Sequence, residues 1–499
     1  MKDFDRACSE LPESRRAEQK KQSLPIVNEH FSATSNAESG DSGQALGSDG
    51  DTIVALASGS APGAIAVIRI SGPNCWKKIS HLFTPTNPTN PNARMTNLRS
   101  MICPDTKQVI DELITVFFLG PNSFTGEDSL ELYCHGGPFI IQKILSVVRS
   151  CGIRSAFPGE FTKRALLNGK IDLIEAEGIK ALVEAQTEQQ WKSGRQLFSG
   201  RLSLHIEKLR SSLIEAMAWL EAMIDFPDEG DTQSVHLDHV QERVRIVSQD
   251  IRTLLSSFQS GQIAAHGLSV VLAGAPNAGK SSLFNALLGK NRAIVSSIAG
   301  TTRDYIEERC LVEGRLIRLI DVAGLRDSTD EIEAEGIKLS KELIKSADIV
   351  ILLLPASDSK DSHNEILEKF RYINGDGFIP VVTKIDLGVP DWMPKRQLGV
   401  TCKTANGLDD FKQLLAQTVD LHMNRLGEDV FLTTQRQKDC LVLAKAGIEK
   451  FFIDLNDKKG HELLAFELQE VSRSLAAVIG SLSNEDILDK VFSDFCIGK

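Results

Sequence analysis

Long apolar runs are missing from these 499 residues: no stretch approaches the roughly 18 consecutive apolar residues of a membrane-spanning helix, and the start lacks a secretory apolar core. Paired metal-ligand cysteines are missing too. The nine cysteines, Cys8, Cys75, Cys103, Cys134, Cys151, Cys310, Cys402, Cys440 and Cys496, are scattered without one C-x-x-C, which points to a reducing compartment and against a zinc site. Basic charge is in short supply, with 56 Lys and Arg against 67 Asp and Glu and a net charge of -11. That balance excludes broad, sequence-independent adhesion to nucleic acid or anionic lipid and confines any RNA contact to a local patch. The first 15 residues carry Asp3, Asp5, Glu10 and Glu13, unlike an acid-poor mitochondrial presequence. A cytoplasmic protein is therefore expected, with the mitochondrial matrix as the alternative.

What is present reads as several soluble units, since the length exceeds one ordinary core. Residues 1–50 end in a Ser/Gly/Asp-rich run from Ser32 to Asp51 and are expected to form a disordered extension. Apolar runs at Ile65–Ile70, Leu113–Leu119 and Leu130–Cys134, each closed by a turn, predict a small α+β domain over residues 51–168. Residues 171–225 contain no proline and show Leu202, Ile206, Leu209, Leu213, Met217 and Leu220 at helical spacing, which predicts one long helix. A second follows with Leu237, Val240, Val244, Val247, Ile251, Leu254 and Phe258. Helical periodicity returns after Thr434. The fold class expected is multidomain α/β: an N-terminal α+β domain, a helical domain split into residues 169–266 and 425–499, and an inserted, doubly wound P-loop domain of Ras-like type at 267–424.

The insert carries the chemistry. Gly274-Ala275-Pro276-Asn277-Ala278-Gly279-Lys280-Ser281 follows an apolar strand and precedes the helical run Ser282–Leu288, the context in which a glycine-rich loop and a helix N-terminus face one phosphate group. Lys280 is expected to neutralise the β- and γ-phosphates and Ser281 to ligate Mg²⁺. Thr302, in the segment Ser296-Ser297-Ile298-Ala299-Gly300-Thr301-Thr302, is placed to reach the same Mg²⁺ from a mobile loop. Asp321-Val322-Ala323-Gly324 closes a strand, so Asp321 can hold a metal-bound water and the Gly324 N–H can meet the γ-phosphate. In Thr383-Lys384-Ile385-Asp386, the carboxylate can accept two hydrogen bonds from guanine N1–H and the exocyclic amine, a pair that adenine does not offer. Thr383 stands where the usual pattern has Asn, and this predicts a weaker tie to the P-loop. Thr401-Cys402-Lys403 takes the place of a Ser-Ala-Lys element whose backbone supports the guanine carbonyl. GTP is the expected substrate. Leu325 replaces the water-orienting Gln of Ras, and composition alone reads the acids Asp327, Asp330, Glu331, Glu333 and Glu335 as a solvated face.

Outside the insert, four further segments occur in order: Asp51-Thr52-Ile53-Val54-Ala55 with Arg69-Ile70-Ser71-Gly72, Ser123-Phe124-Thr125-Gly126-Glu127-Asp128, Pro158-Gly159-Glu160-Phe161, and the terminal Phe495-Cys496-Ile497-Gly498-Lys499. Together with the insert, they make residues 51–499 resemble the MnmE (TrmE) family of tRNA-modification GTPases. The resemblance implies an N-terminal dimerisation domain that binds 5-formyl- or 5,10-methylene-tetrahydrofolate. It further implies a homodimer that joins a flavin-containing partner subunit (MnmG, or GidA) in a heterotetramer. That assembly would add an aminomethyl-type (carboxymethylaminomethyl) group to C5 of the wobble uridine, position 34, of certain tRNAs. Folate contacts would fall on Arg69, Glu131, Lys170 and Lys499, residues that otherwise read as surface ion pairs. Cys496 would take part in the modification, unless it is only a small residue packed beside Phe492 and Phe495. Hydrolysis would use K⁺, with Asn277 as its side-chain ligand and Ser296, Ile298 and Thr301 completing the shell, and Glu333 would orient the water. The chain departs from the family at Ser60-Ala61-Pro62-Gly63-Ala64, where Pro-Gly-Arg-Gly-Gly is usual. The competing expectation is a ribosome-associated GTPase switch without one-carbon chemistry.

Overall fold

The computed structural model describes residues 50–59, 62–85, 91–225, 230–289, 306–321, 342–371, 373, 377–391, 398–423, 432–481, 485–493, 495 and 498. The extension expected over residues 1–50 falls almost wholly outside them. So do Ser296, Ser297, Ile298, Ala299, Gly300, Thr301, Thr302, Val322, Ala323, Gly324, Glu333, Cys496 and Lys499.

Seven strands form the first sheet: β1 (Ile53–Leu56), β2 (Ile65–Ser71), β3 (Phe83–Thr84), β4 (Thr96–Ile102), β5 (Val109–Phe118), β6 (Ser129–His135) and β7 (Arg154–Ser155), in the order β3-β4-β5-β6-β2-β1-β7. Helix α1 (Cys75–Ile79) and helix α2 (Pro138–Ser150) cover one face, burying Trp76, Ile79, Ile141, Ile144 and Val148 against Ile68, Ile70, Leu113, Phe117, Leu130 and Leu132. Strict alternation along β5, with Asp111, Leu113, Thr115 and Phe117 buried, leaves Ile114 on the open face beside Leu98, its register partner on β4. Helix α3 (Glu160–Leu167) closes the domain.

The single helix expected over 171–225 is three: α4 (Leu173–Glu184), α5 (Glu188–Phe198) and α6 (Arg201–Asp225). Asp172 and Glu175 form a reciprocal capping box that starts α4, Thr187 caps α5 through the Gln190 N–H, and Gly200 at φ 70 turns the chain into α6. Proline was not needed for these breaks. Helix α7 (Gly230–Ser256) runs back along α6, and α8 (Phe258–His266) follows. After the second sheet come α12 (Gln435–Asn456) and α13 (His461–Ile479). Leu209, Leu213 and Leu220 of α6, Val244 and Ile251 of α7, Ile448 and Phe451 of α12, and Leu468 and Leu475 of α13 share one core. Among the described residues no helix is long and apolar enough to cross a membrane.

The second sheet comprises β8 (Leu268–Gly274), β9 (Ile306–Val312), β10 (Arg315–Asp321), β11 (Ile349–Pro355), β12 (Phe378–Thr383) and β13 (Leu398–Val400), ordered β13-β12-β11-β8-β10-β9. All neighbours are parallel except β9, which forms an antiparallel hairpin with β10. Both faces of its centre are covered: Ile349, Ile351 and Leu353 of β11 enter one core, Val350, Leu352 and Leu354 the other. That double coverage explains the unbroken apolar runs. Helices α9 (Lys280–Leu288), α10 (Lys360–Lys369) and α11 (Leu408–Met423) flank this sheet.

The chain enters and leaves the second sheet beside α8. Its Gln262 side chain donates to the Thr433 carbonyl at 2.5 Å, and Ser257 Oγ accepts the Leu432 N–H at 3.3 Å. Beyond α13, helix α14 (Glu485–Ser493) packs Leu488 and Phe492, with Phe495, against Leu173 and Ala176 of α4.

Candidate functional site

Two constellations stand on the two sheets. At the carboxyl end of β8, the position at which open α/β sheets take ligands, the chain turns through Gly274 at φ 147, Asn277 at φ 60 and Gly279 at φ 98 before entering α9. A Cβ on Gly274 would meet the Leu353 carbonyl oxygen at 2.7 Å, so the strand-to-loop turn requires glycine. The N–H groups of Lys280, Ser281 and Ser282 form the first turn of the helix, the end that faces an anion, and that of Leu283 bonds the Gly279 carbonyl at 2.9 Å. Lys280 Nζ folds back to the carbonyls of Gly274 at 3.0 Å and Ala275 at 2.9 Å, which holds its charge over the loop. Ser281 Oγ lies 3.4 Å from Oδ2 of Asp321, a 5% exposed carboxylate at the end of β10. These hard oxygens are the donor set that Mg²⁺ takes.

Thr383, at the end of β12, reaches this loop directly: its hydroxyl donates to the Ala278 carbonyl at 2.6 Å. The weaker tie expected from the loss of Asn is therefore a short bond made by another donor. Lys384 adopts a left-handed conformation at φ 59 and begins the turn Ile385–Leu387, which carries Asp386. Oδ1 of Asp386 accepts from the Thr401 hydroxyl at 2.7 Å, and Oδ2 pairs with Lys403 Nζ at 3.0 Å. The Thr401 bond first, and then Lys403, hold this carboxyl below its ordinary range, so it is an ionised acceptor. Thr401 Oγ also receives the Lys403 N–H at 3.3 Å, and Cys402 between them is exposed. Asn277, Ala278, Gly279, Lys280, Ser281, Ser282, Asp321, Thr383, Lys384, Ile385, Asp386, Thr401, Cys402 and Lys403 thus cluster at one sheet end. The hydroxyl role of Thr401 escaped sequence reading, which considered only its backbone.

On the first sheet, Arg69 of β2 and Glu131 of β6 are register partners. Arg69 Nε donates to Glu131 Oε1 at 3.0 Å, and the other oxygen accepts from the Tyr133 hydroxyl at 2.7 Å. Burial and the neighbouring carboxylate push that phenol up to about 12, so it remains a donor. The guanidinium also lies 5.7 Å from the Phe124 ring centre and 5.9 Å from that of Phe161. Phe161 is buried, but the exposed Phe124 ring beside a carboxylate and a cation suits a planar heterocycle with an amino-amide edge. Lys170 is exposed; its Cγ lies 3.4 Å from a Cβ built on Gly126, in the same loop as Phe124. The Gly498 carbonyl lies 3.5 Å from Arg69 Nη1, so Gly498 returns to this pair. Tyr133 carried no sequence signal beyond its place two residues along the strand from Glu131.

A polar lattice supports that surface. Glu160 accepts from Arg154 at 2.6 and 2.9 Å, from Arg164 at 2.9 Å and from the Phe157 N–H at 2.9 Å. Arg164 continues to Glu127 at 3.1 Å and the Asp51 carbonyl at 2.7 Å, and Glu127 receives the Ser71 hydroxyl at 2.8 Å. Three of the segments noted in the sequence are thereby wired to each other through two arginines that the motifs did not include.

The chain is similar to known proteins over most of its length. The family described as the MnmE helical domain matches residues 173–496, and that described as the GTP-binding protein TrmE N-terminus matches residues 52–170. A protein named tRNA modification GTPase MnmE from Syntrophus aciditrophicus is 36% identical over 462 residues, covering 90% of this chain and 99% of its own. Another of that name from Aquifex aeolicus is 35% identical over 454 residues, covering 90% and 100%. The solved G domain of the Thermotoga maritima FeoB iron transporter covers 30% of this chain and 98% of its own at 29% identity and a TM-score of 0.22, an overlap too slight to bear on the fold. With one family matched over more than half its length and full-length relatives above 30% identity, the chain belongs to the MnmE (TrmE) family of tRNA modification GTPases.

Proposed function

We propose that this chain binds and hydrolyses GTP and uses that cycle in the modification of C5 of the wobble uridine of certain tRNAs, drawing a one-carbon unit from tetrahydrofolate. The supporting observation is the return of the chain's end. Phe495 packs on α4, and the Gly498 carbonyl lies beside Arg69, on a surface suited to a pterin. A plain GTPase switch has no use for such a site. A flavin-containing partner would complete the reaction.

The domain plan we propose is a folate-binding and dimerisation domain over 51–168, a helical domain over 169–266 and 425–499, and a G domain inserted at 267–424. Exposed Ile65, Leu98, Val109 and Ile114 give the first sheet an apolar surface suited to a second copy of the chain. A cytoplasmic location accords with the free cysteines.

Within the G domain, Lys280 and the α9 N–H groups would bind the phosphates, and Ser281 and Thr302 would hold Mg²⁺. Asp386 would orient the base and exclude adenine. A bound K⁺ would supply positive charge at the bridging oxygens, where other GTPases place an arginine. Asn277 contributes a neutral amide oxygen of the kind that ion takes, with Ser296, Ile298 and Thr301. Glu333 would position the water. At the first sheet, Glu131 would take the pterin edge, while Arg69, Lys170 and Lys499 would take the anionic tail.

Tetrahydrofolate binding to the purified chain, measured by calorimetry, tests the one-carbon reading; no measurable affinity would sink it. Loss of wobble-uridine modification in cells lacking the protein is the expected genetic outcome. Turnover should be faster in K⁺ than in Na⁺, and equal rates would remove the cation from the mechanism. Glu333→Ala should keep GTP binding and lose turnover by at least about 100-fold, the scale of one positioned acid–base group.

A further inference from the structure

Residues four apart on a helix share a face, and α3 presents two such stripes. Glu160, Arg164 and the C-cap Asn168 make the first, which holds the 123–128 loop that carries Phe124. Arg164 donates to Glu127 at 3.1 Å and to Glu160 at 2.9 Å, and Asn168 Nδ2 donates to the Thr125 carbonyl at 2.7 Å. Gly159 and Lys163 make the second, which faces α14. A Cβ on Gly159, at φ 65, would meet the Phe492 carbonyl oxygen at 2.8 Å and the Phe495 Cβ at 3.0 Å, so α14 and the residue after it lie directly on the start of α3. One turn further along, Lys163 Nζ reaches Oδ1 of Asp489 at 2.5 Å across 326 positions of sequence. The lysine side chain is only 12% exposed, which limits screening of the pair by solvent. On its other side α14 packs Leu488 and Phe492 on Leu173 and Ala176 of α4. Apolar contact is non-directional and leaves a helix free to slide, whereas a charge pair fixes one register. Beyond this seat the chain brings the Gly498 carbonyl to 3.5 Å from Arg69 Nη1.

We propose that Lys163 is a positioning residue for the site on the first sheet: its pair with Asp489 sets where α14 rests on α3 and thereby seats Gly498 beside Arg69, while the neighbouring stripe of the same helix sets the Phe124 loop. The proposal rests on the tetrahydrofolate reading of that site and names what holds its terminal segment in place.

Charge reversal and its repair, made in the full chain, test this with two readouts. Hydrogen exchange of the peptide spanning residues 488–499 reports the seat, and calorimetry with tetrahydrofolate reports the site. Lys163→Glu sets a like charge against Asp489; exchange in that peptide should quicken by about tenfold or more, and tetrahydrofolate binding should weaken by about tenfold. Adding Asp489→Lys should return both readouts to within about threefold of the wild type, because the pair is remade with its signs exchanged. Asp489→Asn, a milder change, should move both in the same direction by about 2–10-fold and serves where the reversal does not fold. Unchanged exchange in these variants would overturn the proposal, as would quickened exchange with unaltered tetrahydrofolate affinity or a reversed pair that recovers neither readout. A wild-type chain without measurable tetrahydrofolate affinity would instead overturn the one-carbon reading, and the exchange readout alone would then decide whether the pair seats α14.

Discussion

Thr401 and Tyr133 do the same work at the two sites: each presents a hydroxyl to one oxygen of a carboxylate whose other oxygen is held by a cation. Asp386 is fixed by Thr401 at 2.7 Å and Lys403 at 3.0 Å, Glu131 by Tyr133 at 2.7 Å and Arg69 at 3.0 Å. A carboxylate accepts about four hydrogen bonds, so each keeps lone pairs for a ligand while its orientation is set beforehand. Asp386→Ala should weaken GDP binding by about 10–100-fold, the scale of hydrogen bonds to a charged group, and leave ADP affinity unchanged. Calorimetry with both nucleotides reads this directly; equal losses for the two would point to a damaged fold. Tyr133→Phe should weaken tetrahydrofolate binding by about 2–10-fold without affecting GDP, since only the orienting bond is removed. Neither hydroxyl partner was legible in the sequence. Asp386 lies 15 positions from Thr401, on a different strand end, so that pairing shows only in the folded sheet. Tyr133 shares a strand face with Glu131, but nothing in the sequence says that its hydroxyl is turned to the carboxylate.

At the scale of elements, the sequence was most readable where periodicity is forced by burial on one or both faces. The apolar runs Leu268–Ala273, Leu316–Ile320, Ile349–Leu354 and Ile379–Val382 predict four strands, and β8, β10, β11 and β12 lie within a residue or two of them. Residues 171–225 failed because the breaks are made by Asp172, Thr187 and Gly200 rather than by proline, while the apolar spacing continues across them. The lattice around Glu160 belongs to this scale, because it fixes β7, α3 and the 123–128 loop together. Burial pushes Glu160 up, but Arg154, the Phe157 N–H and Arg164 outweigh it and hold the carboxyl below its ordinary range. Glu160→Gln should cost about 1–3 kcal/mol in urea unfolding, since Arg154 and Arg164 lose charge-assisted bonds while keeping Asp51 and Glu127 as partners. His266, at the end of α8, moves the other way from a cation's preference: burial first, then Arg309, Arg318 and Lys180, push it down from 6.5 to about 4. It is neutral when folded, whereas an unfolded His takes a proton below 6.5. The stability it contributes is full above 6.5 and should fall by up to about 3 kcal/mol as pH drops to 4. His266→Gln should lack that component of the pH profile.

At the scale of the molecule, the first strand and the last described residue meet. β1 begins at Ile53, and a Cβ on Gly498 would collide with Ala57 and the Leu56 carbonyl, where φ 98 already demands glycine. Gly498 is therefore seated against the first sheet rather than merely near it. The phosphate loop stands on the other sheet, with the shared helical core on both sides of it in sequence. A chain ending at Ser493 separates the two functions. It removes Phe495, whose ring packs on Phe492 at 5.0 Å, at a cost of about 1.5–3 kcal/mol in stability. It also removes the Gly498 carbonyl beside Arg69, the residues flanking Cys496, and Lys499. Tetrahydrofolate affinity should fall by about tenfold or more, as expected when a charge-assisted contact is lost. GDP affinity should be unchanged, because no described contact of the nucleotide cluster involves these residues. Truncation that weakened both ligands equally would mean that the tail supports the whole fold and not the site on the first sheet.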